Sequence, residues 1–271
     1  MKIDNSKKGF TLAEVLITLG IIGVVAALTM PSLIANYQKK VISARLKKFV
    51  SSFSQAYNMA VVNYGDPAYW EHCGDLVTLR NCETPSGSSS QKILTYLNAV
   101  ENTNSIPDTY IQAITVSGKS ISSNFSSDLK KTKYYQLRDG TLLFGMHDVG
   151  SSSSLGTSLY ITFTVDVNGL SKPNRYGKDI FLFVLFLTKH IVYDKPGVGV
   201  QMNLHGGASV FYDSEIDRGL YMNGYGYLRN KSLGYIKTSC SQGAIILKFY
   251  CASSIQENGW EIPDYYHWNA F

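Results

Sequence analysis

Apolar and polar positions divide this chain into stretches of different rhythm. From Phe10 to Ala35 it reads FTLAEVLITLGIIGVVAALTMPSLIA, 26 residues with one charge, Glu14. About 20 apolar residues span a bilayer as a helix. The run exceeds the roughly 7–15 apolar residues at the centre of a secretory signal, and it does not stop at a small-residue cleavage site. Instead it passes into a second pattern. Apolar residues recur at Ile34, Tyr37, Val41, Leu46, Phe49, Phe53, Tyr57, Ala60, Val61 and Tyr64, mostly with the spacing of an amphipathic helix. Gly65-Asp66-Pro67 stops it. The pattern predicts one helix over about 10–64, its first half apolar all round and its second half packed on a globular domain. Gly20, Gly23 and Pro31 fall inside the first half, where proline removes a helical hydrogen bond and favours a kink.

Residues 65–130 are polar and irregular. Ser86-Gly87-Ser88-Ser89-Ser90 reads as an exposed loop, segment 92–100 as a short helix and 110–116 as a strand. From residue 133 the rhythm becomes that of an antiparallel meander. Tyr134–Arg138, the turn Asp139-Gly140 and Thr141–His147 form a hairpin signal. Ser151–Ser154 reads as another loop. Leu159–Val167 alternates apolar and mostly polar residues, as a half-buried strand does. Ile180–Leu187 (IFLFVLFL) is apolar throughout, which suits a central strand and is too short for a second membrane span. The fold class is α+β: a long N-terminal helix, membrane-spanning in its first half, packed on an antiparallel β-meander.

Composition adds limits. The 271 residues are 45% hydrophobic and 17% charged, too apolar and too weakly charged for a disordered chain. The net charge of +5 suggests a nucleic-acid binder only until it is located. Residues 1–9 carry net +2, residues 10–62 net +4 and residues 63–271 net −1. The excess lies in Lys2, Lys7 and Lys8, and in Lys39, Lys40, Arg45, Lys47 and Lys48. The second group reads as a solvated or headgroup-facing patch, or as a contact with acidic faces of neighbouring subunits. No nucleic-acid partner is expected.

Glu14 is the odd residue of the apolar run, because an interfacial carboxylate costs more there than an apolar side chain. Lys7-Lys8-Gly9-Phe10-Thr11-Leu12-Ala13-Glu14 at the head of such a helix resembles the class III prepilin signal of type IV pilins and type II secretion pseudopilins. The resemblance implies cleavage after Gly9 by a prepilin peptidase, N-methylation of the new terminus at Phe10, and pairing of Glu14 with the Phe10 amine of a neighbouring subunit. It also implies that the stretch Gly23–Pro31 can lose helical structure on assembly. The boundaries become 1–9 leader, 10–35 transmembrane and assembly helix, 36–64 amphipathic half, and 65–271 globular domain. Counting basic residues on each side would place the C-terminus in the cytoplasm. A leader read from the cytoplasmic face, together with the cysteines, favours a single-pass inner-membrane protein with its globular domain outside. The partners implied are other pilin or pseudopilin subunits, the prepilin peptidase and N-methyltransferase, an inner-membrane assembly platform and the lipid bilayer.

Between the last two predicted strands lies DVNGLSKPNRYGKDIF, residues 166–181, similar to a D-x-N-G…P-N-x-x-G-x-D-x-F segment of pilin-like proteins. Asn168-Gly169 suits a tight turn that sets register. The alternative is Ca²⁺, which takes six to eight oxygen ligands. Asp166, Asn168, Asn174 and Asp179 would supply four of these. No cofactor is otherwise required. The tail CASSIQENGWEIPD, 251–264, resembles the end of one group of bacterial prepilin-like proteins. Four cysteines allow three connectivities, and local pairing of Cys73 with Cys82 and Cys240 with Cys251 is the simplest. Disulfides imply an oxidising compartment. G-x-S-x-G, H-E-x-x-H and Walker patterns are absent from the sequence. The expected function is a non-enzymatic minor pilin or pseudopilin of a type IV pilus or type II secretion system. The alternatives are a tip adhesin using the Tyr-rich 190–239 region, or a membrane-tethered enzyme.

Overall fold

A computed structural model describes residues 9–70, 87–102, 106–107, 110, 134–153, 156–188, 190–191, 200–204, 207–211, 215–222 and 252–266. The chain divides into two units, Met1–Val41 and Ile42–Phe271. Helix α1 runs unbroken from Leu12 to Tyr64, with Pro31 inside it.

In the first unit no described residue is buried. Leu16, Ile17, Ile21, Ile22, Val24 and Leu28 all lie exposed. This part of α1 is long and apolar enough to cross a membrane. Its hydroxyls turn inward on the helix: Thr29 Oγ1 donates to the Val25 carbonyl at 2.9 Å and Ser32 Oγ to the Thr29 carbonyl at 3.0 Å. A polar group in hydrocarbon must find its partner within the segment, and these do.

In the second unit α1 buries Ile42, Leu46, Phe49, Phe53, Ala56 and Ala60, a seam with alternating gaps of four and three residues. The expected stripe is therefore present but rotated slightly: Tyr37 is exposed, and Ile42 and Ala56 take inward places. The seam rests on a six-stranded sheet of order β1-β2-β3-β4-β5-β10. The strands are β1 (Val100–Asn102), β2 (Tyr134–Gln136), β3 (Leu142–Ser153), β4 (Gly156–Asp166), β5 (Ile180–Phe186) and β10 (Gly219–Met222). Every neighbouring pair is antiparallel. Two short pairs stand apart, β6 (His190–Ile191) with β9 (Glu215–Ile216), and β7 (Val200–Leu204) with β8 (Gly207–Phe211).

Aromatic rings join helix and sheet. Phe53 stacks on Phe163 at 4.8 Å between centroids, Phe49 meets Phe183 at 5.6 Å, and Phe163 and Phe183 stack at 5.7 Å as a cross-strand pair. Three of the basic residues on α1 also dock on its own unit. Lys47 pairs with Glu261 at 3.0 Å, Lys48 with Asp139 at 3.0 Å, and Arg45 donates to the Val167 carbonyl at 3.5 Å. All three stay exposed, as a solvated patch would, and each has its partner within the subunit.

Several sequence expectations change. Ser151–Ser153 belong to strand β3, paired with Ser158, Thr157 and Gly156 of β4, so the loop expected at Ser151–Ser154 is shorter. Backbone pairing overrides weak local propensity there. Strand β4 is buried on both faces, with Thr162, Thr164 and Asp166 inside. On the second face Tyr110 bonds Asp166, within a buried cluster that also holds Ile106, Tyr134, Leu142, Phe144, Tyr176 and Ile180. Helix α2 (Ser89–Leu97) starts three residues before the short helix expected at 92–100 and takes in Ser89 and Ser90, which with Ser88 are buried rather than part of an exposed loop; the Ser88 hydroxyl caps it, accepting from Gln91 N at 3.2 Å. Its first turn receives the buried Asp148 carboxylate, which accepts from Ser90 N and from the Ser90 hydroxyl. Tyr110 is helical rather than the start of a strand; 111–116 lie outside the described residues.

The C-terminal segment closes the unit. Residues 252–257 form a helix that ends with Trp260 N donating to Ile255 O and Gly259 N to Gln256 O, with Gly259 at φ 67°. This is the Schellman arrangement. The Gln256 carboxamide then acts as a partner for the sheet edge, accepting from Met222 N at 2.7 Å and donating to Leu220 O at 2.9 Å. Trp260 stacks on Phe183 at 6.2 Å.

Gly169 is a demanding position. Its φ is +69°, and an added Cβ would lie 2.4 Å from the Gly140 carbonyl oxygen. The turns at Asp139-Gly140 and Asn168-Gly169 thus touch backbone to backbone. Gly169→Ala is expected to lower the unfolding free energy by about 3 kcal/mol, combining backbone strain with displacement of a neighbouring chain segment. Gly140→Ala, at φ +87° in open space, is expected to cost only about 1 kcal/mol. Equal losses in denaturant titration would show that the close approach carries no cost.

Candidate functional site

The first candidate site lies at the start of α1. Gly9 stands in open space and Phe10 is 89% exposed. Thr11 precedes the helix, and Glu14 sits three residues on. The Glu14 carboxylate accepts from Thr11 N at 2.8 Å and from Thr11 Oγ1 at 2.9 Å, while Glu14 N donates to Thr11 Oγ1 at 3.3 Å. This is a reciprocal capping box, and it places an anion at the positive end of the helix dipole. The sequence reading assigned Glu14 to a neighbour's amine and overlooked Thr11. The signal was present, since T-x-x-E before an apolar run is a capping-box pattern. The geometry gives Glu14 an internal partner before any neighbour arrives.

The second candidate lies in the connection between β4 and β5. Asp166 ends β4 and Asp179 directly precedes β5, so strand pairing brings the two ends of the 166–179 segment together. Both side chains are completely buried and Asn174 is 3% exposed. Asp166 accepts from Tyr110 Oη at 2.6 Å and from Asn168 N at 2.9 Å. Asp179 accepts from Asn174 N at 2.7 Å and from Arg175 N at 2.6 Å. Asn174 takes the left-handed conformation at φ 48°, which asparagine tolerates, and Lys172-Pro173 is cis. Burial pushes the Asp166 carboxyl up to about 8, against the opposing effect of the Tyr110 hydroxyl and with help from the Asp179 charge. Burial likewise raises Asp179, although backbone N–H groups of Arg175 and Asn174 and the Asn168 side chain oppose it. Burial, aided by the Arg175 charge, brings the Lys178 amine below the usual range against the pull of Asp179. The side-chain oxygens of Asn168 and Asn174 are buried with no hydrogen-bond partner. The four residues named from sequence therefore do share one turn. Tyr110 joins them from a distant segment, and no local pattern could have announced it. The Tyr266 hydroxyl, also from far along the chain, donates to the Gly177 carbonyl in the same turn.

Other expectations find less purchase. Cys73, Cys82, Cys240 and Cys251 all lie outside the described residues, as do Tyr225, Tyr227 and Tyr235. Tyr221 lies in β10 and packs edge-on against Phe186 at 6.0 Å. Among the described residues, no three His, Cys, Asp or Glu side chains converge.

Comparison with known proteins bears on each end of the chain. Residues 4–30 match the prokaryotic N-terminal methylation motif, a stretch that contains Gly9, Phe10, Thr11 and Glu14. Residues 32–269 match a family described as a family of unknown function (DUF6613). No curated protein and no solved structure matches the chain. The methylation motif and the long apolar helix together form a type IV pilin-like signal. That signal supports a pilin-like or pseudopilin role in general, points to a structural subunit, and implies processing by a prepilin peptidase and assembly with other pilins. The chain belongs to the DUF6613 family and bears a type IV pilin-like methylation signal at its N-terminus.

Proposed function

We propose that this protein is a minor pilin or pseudopilin, assembled into a type IV pilus or a type II secretion pseudopilus. In this reading residues 1–9 are removed and Phe10 is methylated. Residues 10–35 hold the subunit in the inner membrane and then in the filament core. Residues 36–64 carry the globular domain 65–271, which faces away from the cytoplasm.

The observation that carries the reading is the start of α1: a capped, predominantly apolar helix with Glu14 at its head, inside the methylation motif. An apolar surface exposed on every side needs lipid or other helices around it. A helix bundle can take the place of lipid at little cost in apolar contact, because lipid tails and apolar side chains are alike. The basic residues Lys39 and Lys40 follow the apolar run directly, where they can meet headgroups.

Mass spectrometry of the full chain purified from membranes tests the processing step. The expected mature protein begins at Phe10 and carries one N-terminal methyl group. Co-expression with an inactive prepilin peptidase should leave Met1–Gly9 in place. A mature chain that still starts at Met1 beside an active peptidase would overturn the assignment.

A further inference from the structure

We propose that the end of the second unit at which its chain enters is a docking face for an anionic lipid surface, met by Leu170 and the basic residues Arg138, Lys172 and Arg175. It rests on the reading of residues 10–35 as membrane-held and adds a contact made by the globular unit itself.

Strand register defines this end. Val100, Gln136, Leu142, Asp166 and Ile180 pair in succession across β1 to β5 and form one row. Two connections lie beyond the row, 137–141 between β2 and β3 and 167–179 between β4 and β5. They meet where Gly169 approaches the Gly140 carbonyl. Helix α1 enters the unit at the same end. Its contacts run down β4 in order, Phe53 and Phe49 on Phe163 and then Arg45 on the Val167 carbonyl. Lys48 reaches Asp139 in the other connection. Ile42 therefore lies at this end, and seven residue steps lead from it back to Ala35, where the apolar run stops. Fully extended, that length of chain spans about 25 Å. As the helix that it forms, it spans about 10 Å. The headgroup layer on each side of the hydrocarbon is itself about 5–8 Å thick.

The composition of this end suits an anionic bilayer surface. Arg138, Lys172 and Arg175 are exposed, and Lys178 is half-buried. The acids offer less to solvent: Asp139 pairs with Lys48 and Glu261 with Lys47, Asp166 and Asp179 are buried, and Glu101 and Asp264 are exposed. Residues 63–271 as a whole carry net −1, so the cations are gathered here rather than spread over the unit. Leu170 stands among them, 52% exposed. A lone exposed leucine is ordinary on a protein surface. One followed by Lys172 and Arg175, at the end nearest the membrane segment in chain length, has the make-up of an interfacial anchor. The apolar side chain enters the boundary with the acyl chains, and the cations meet phosphates. A neighbouring subunit's acidic face would answer the cations alone; a lipid surface takes the leucine as well.

The test uses the full chain, one copy per nanodisc, in phosphatidylcholine alone or in an equimolar mixture with phosphatidylglycerol. Amide hydrogen exchange is read on 168–178, with 62–69 around the far end of α1 as the internal reference. Phosphatidylglycerol should slow exchange in 168–178 by about fivefold or more, since each cation near an anionic surface is worth about that factor. Exchange in 62–69 should not change, and high salt should remove the effect. Lys172→Glu and Leu170→Asp, both at exposed positions, should each abolish the protection and leave the thermal midpoint where it is. Equal exchange in the two lipid compositions, protection that persists in both variants, or protection that arises only when several chains share a disc would each overturn the proposal, the last by assigning the face to a protein neighbour. A chain that does not enter nanodiscs would instead overturn the membrane reading, and the docking face with it.

Discussion

Glu14→Ala is expected to be cleaved after Gly9 at the normal rate and to yield filaments at less than a tenth of the wild-type amount. The reason is charge balance. In the proposed reading, cleavage creates an ammonium group at Phe10, and packing helices into an apolar core strips water from it. Removing one partner of a desolvated ion pair costs about 3–5 kcal/mol. At about 1.4 kcal/mol per tenfold, that is roughly two to nearly four orders of magnitude in each contact's equilibrium. The capping box adds a second contribution, since Glu14 also holds Thr11 within its own chain. Thr11→Ala separates the two. It removes the hydroxyl cap, worth about 0.5–2 kcal/mol, and leaves the anion in place, so it should lower assembly much less than Glu14→Ala. Filament yield by shearing and immunoblotting, read beside N-terminal processing, decides between them. Wild-type yield from processed Glu14→Ala would show that no charge pairing drives assembly.

The second large effect is expected in the core. Phe53 is completely buried, stacks on Phe163 at 4.8 Å and touches Phe49 at 5.6 Å. Phe53→Ala should lower the unfolding free energy by about 3–5 kcal/mol, part from lost transfer energy and part from the cavity left behind. For a domain stable by about 5–15 kcal/mol, that is at least about a fifth of the total. In urea the midpoint should fall by about 1–2 M with an unchanged slope. Phe53→Leu should recover most of the loss, because it refills most of the volume. Val62→Ala lies on the same helix at an exposed position and should shift the midpoint hardly at all. A loss at Val62 as large as that at Phe53 would mean that the outer face of α1 is packed against something else. The two large effects are distinguishable in one assay series: the first leaves the folded unit intact and stops assembly, the second weakens the unit before assembly begins.

Legibility in the sequence followed the range of the interactions. The apolar run, the seam of α1 and the strands around Asp139-Gly140 were readable because each depends on neighbours a few residues apart. The capping box was readable too, though only Glu14 was singled out. Where contacts came from far along the chain, pattern was a weaker guide. Leu159–Val167 alternates like a strand with one wet face, yet Tyr110 and its neighbours cover that face. Lys47 and Lys48 are the surface charges they look like, but their partners, Glu261 and Asp139, lie far along the chain and are not legible from pattern.

By itself the sequence determined the helix, the class of fold and the N-terminal signal, because periodicity and a short motif are local properties that any context must respect. Only the tertiary structure decided how Asp166 and Asp179 are buried, which hydroxyl they hold, and which amide oxygens remain unpaired beside them. Burial and hydrogen-bond satisfaction belong to pairs of segments, and the partners of this turn, Tyr110 and Tyr266, lie 56 and 89 residues away along the chain.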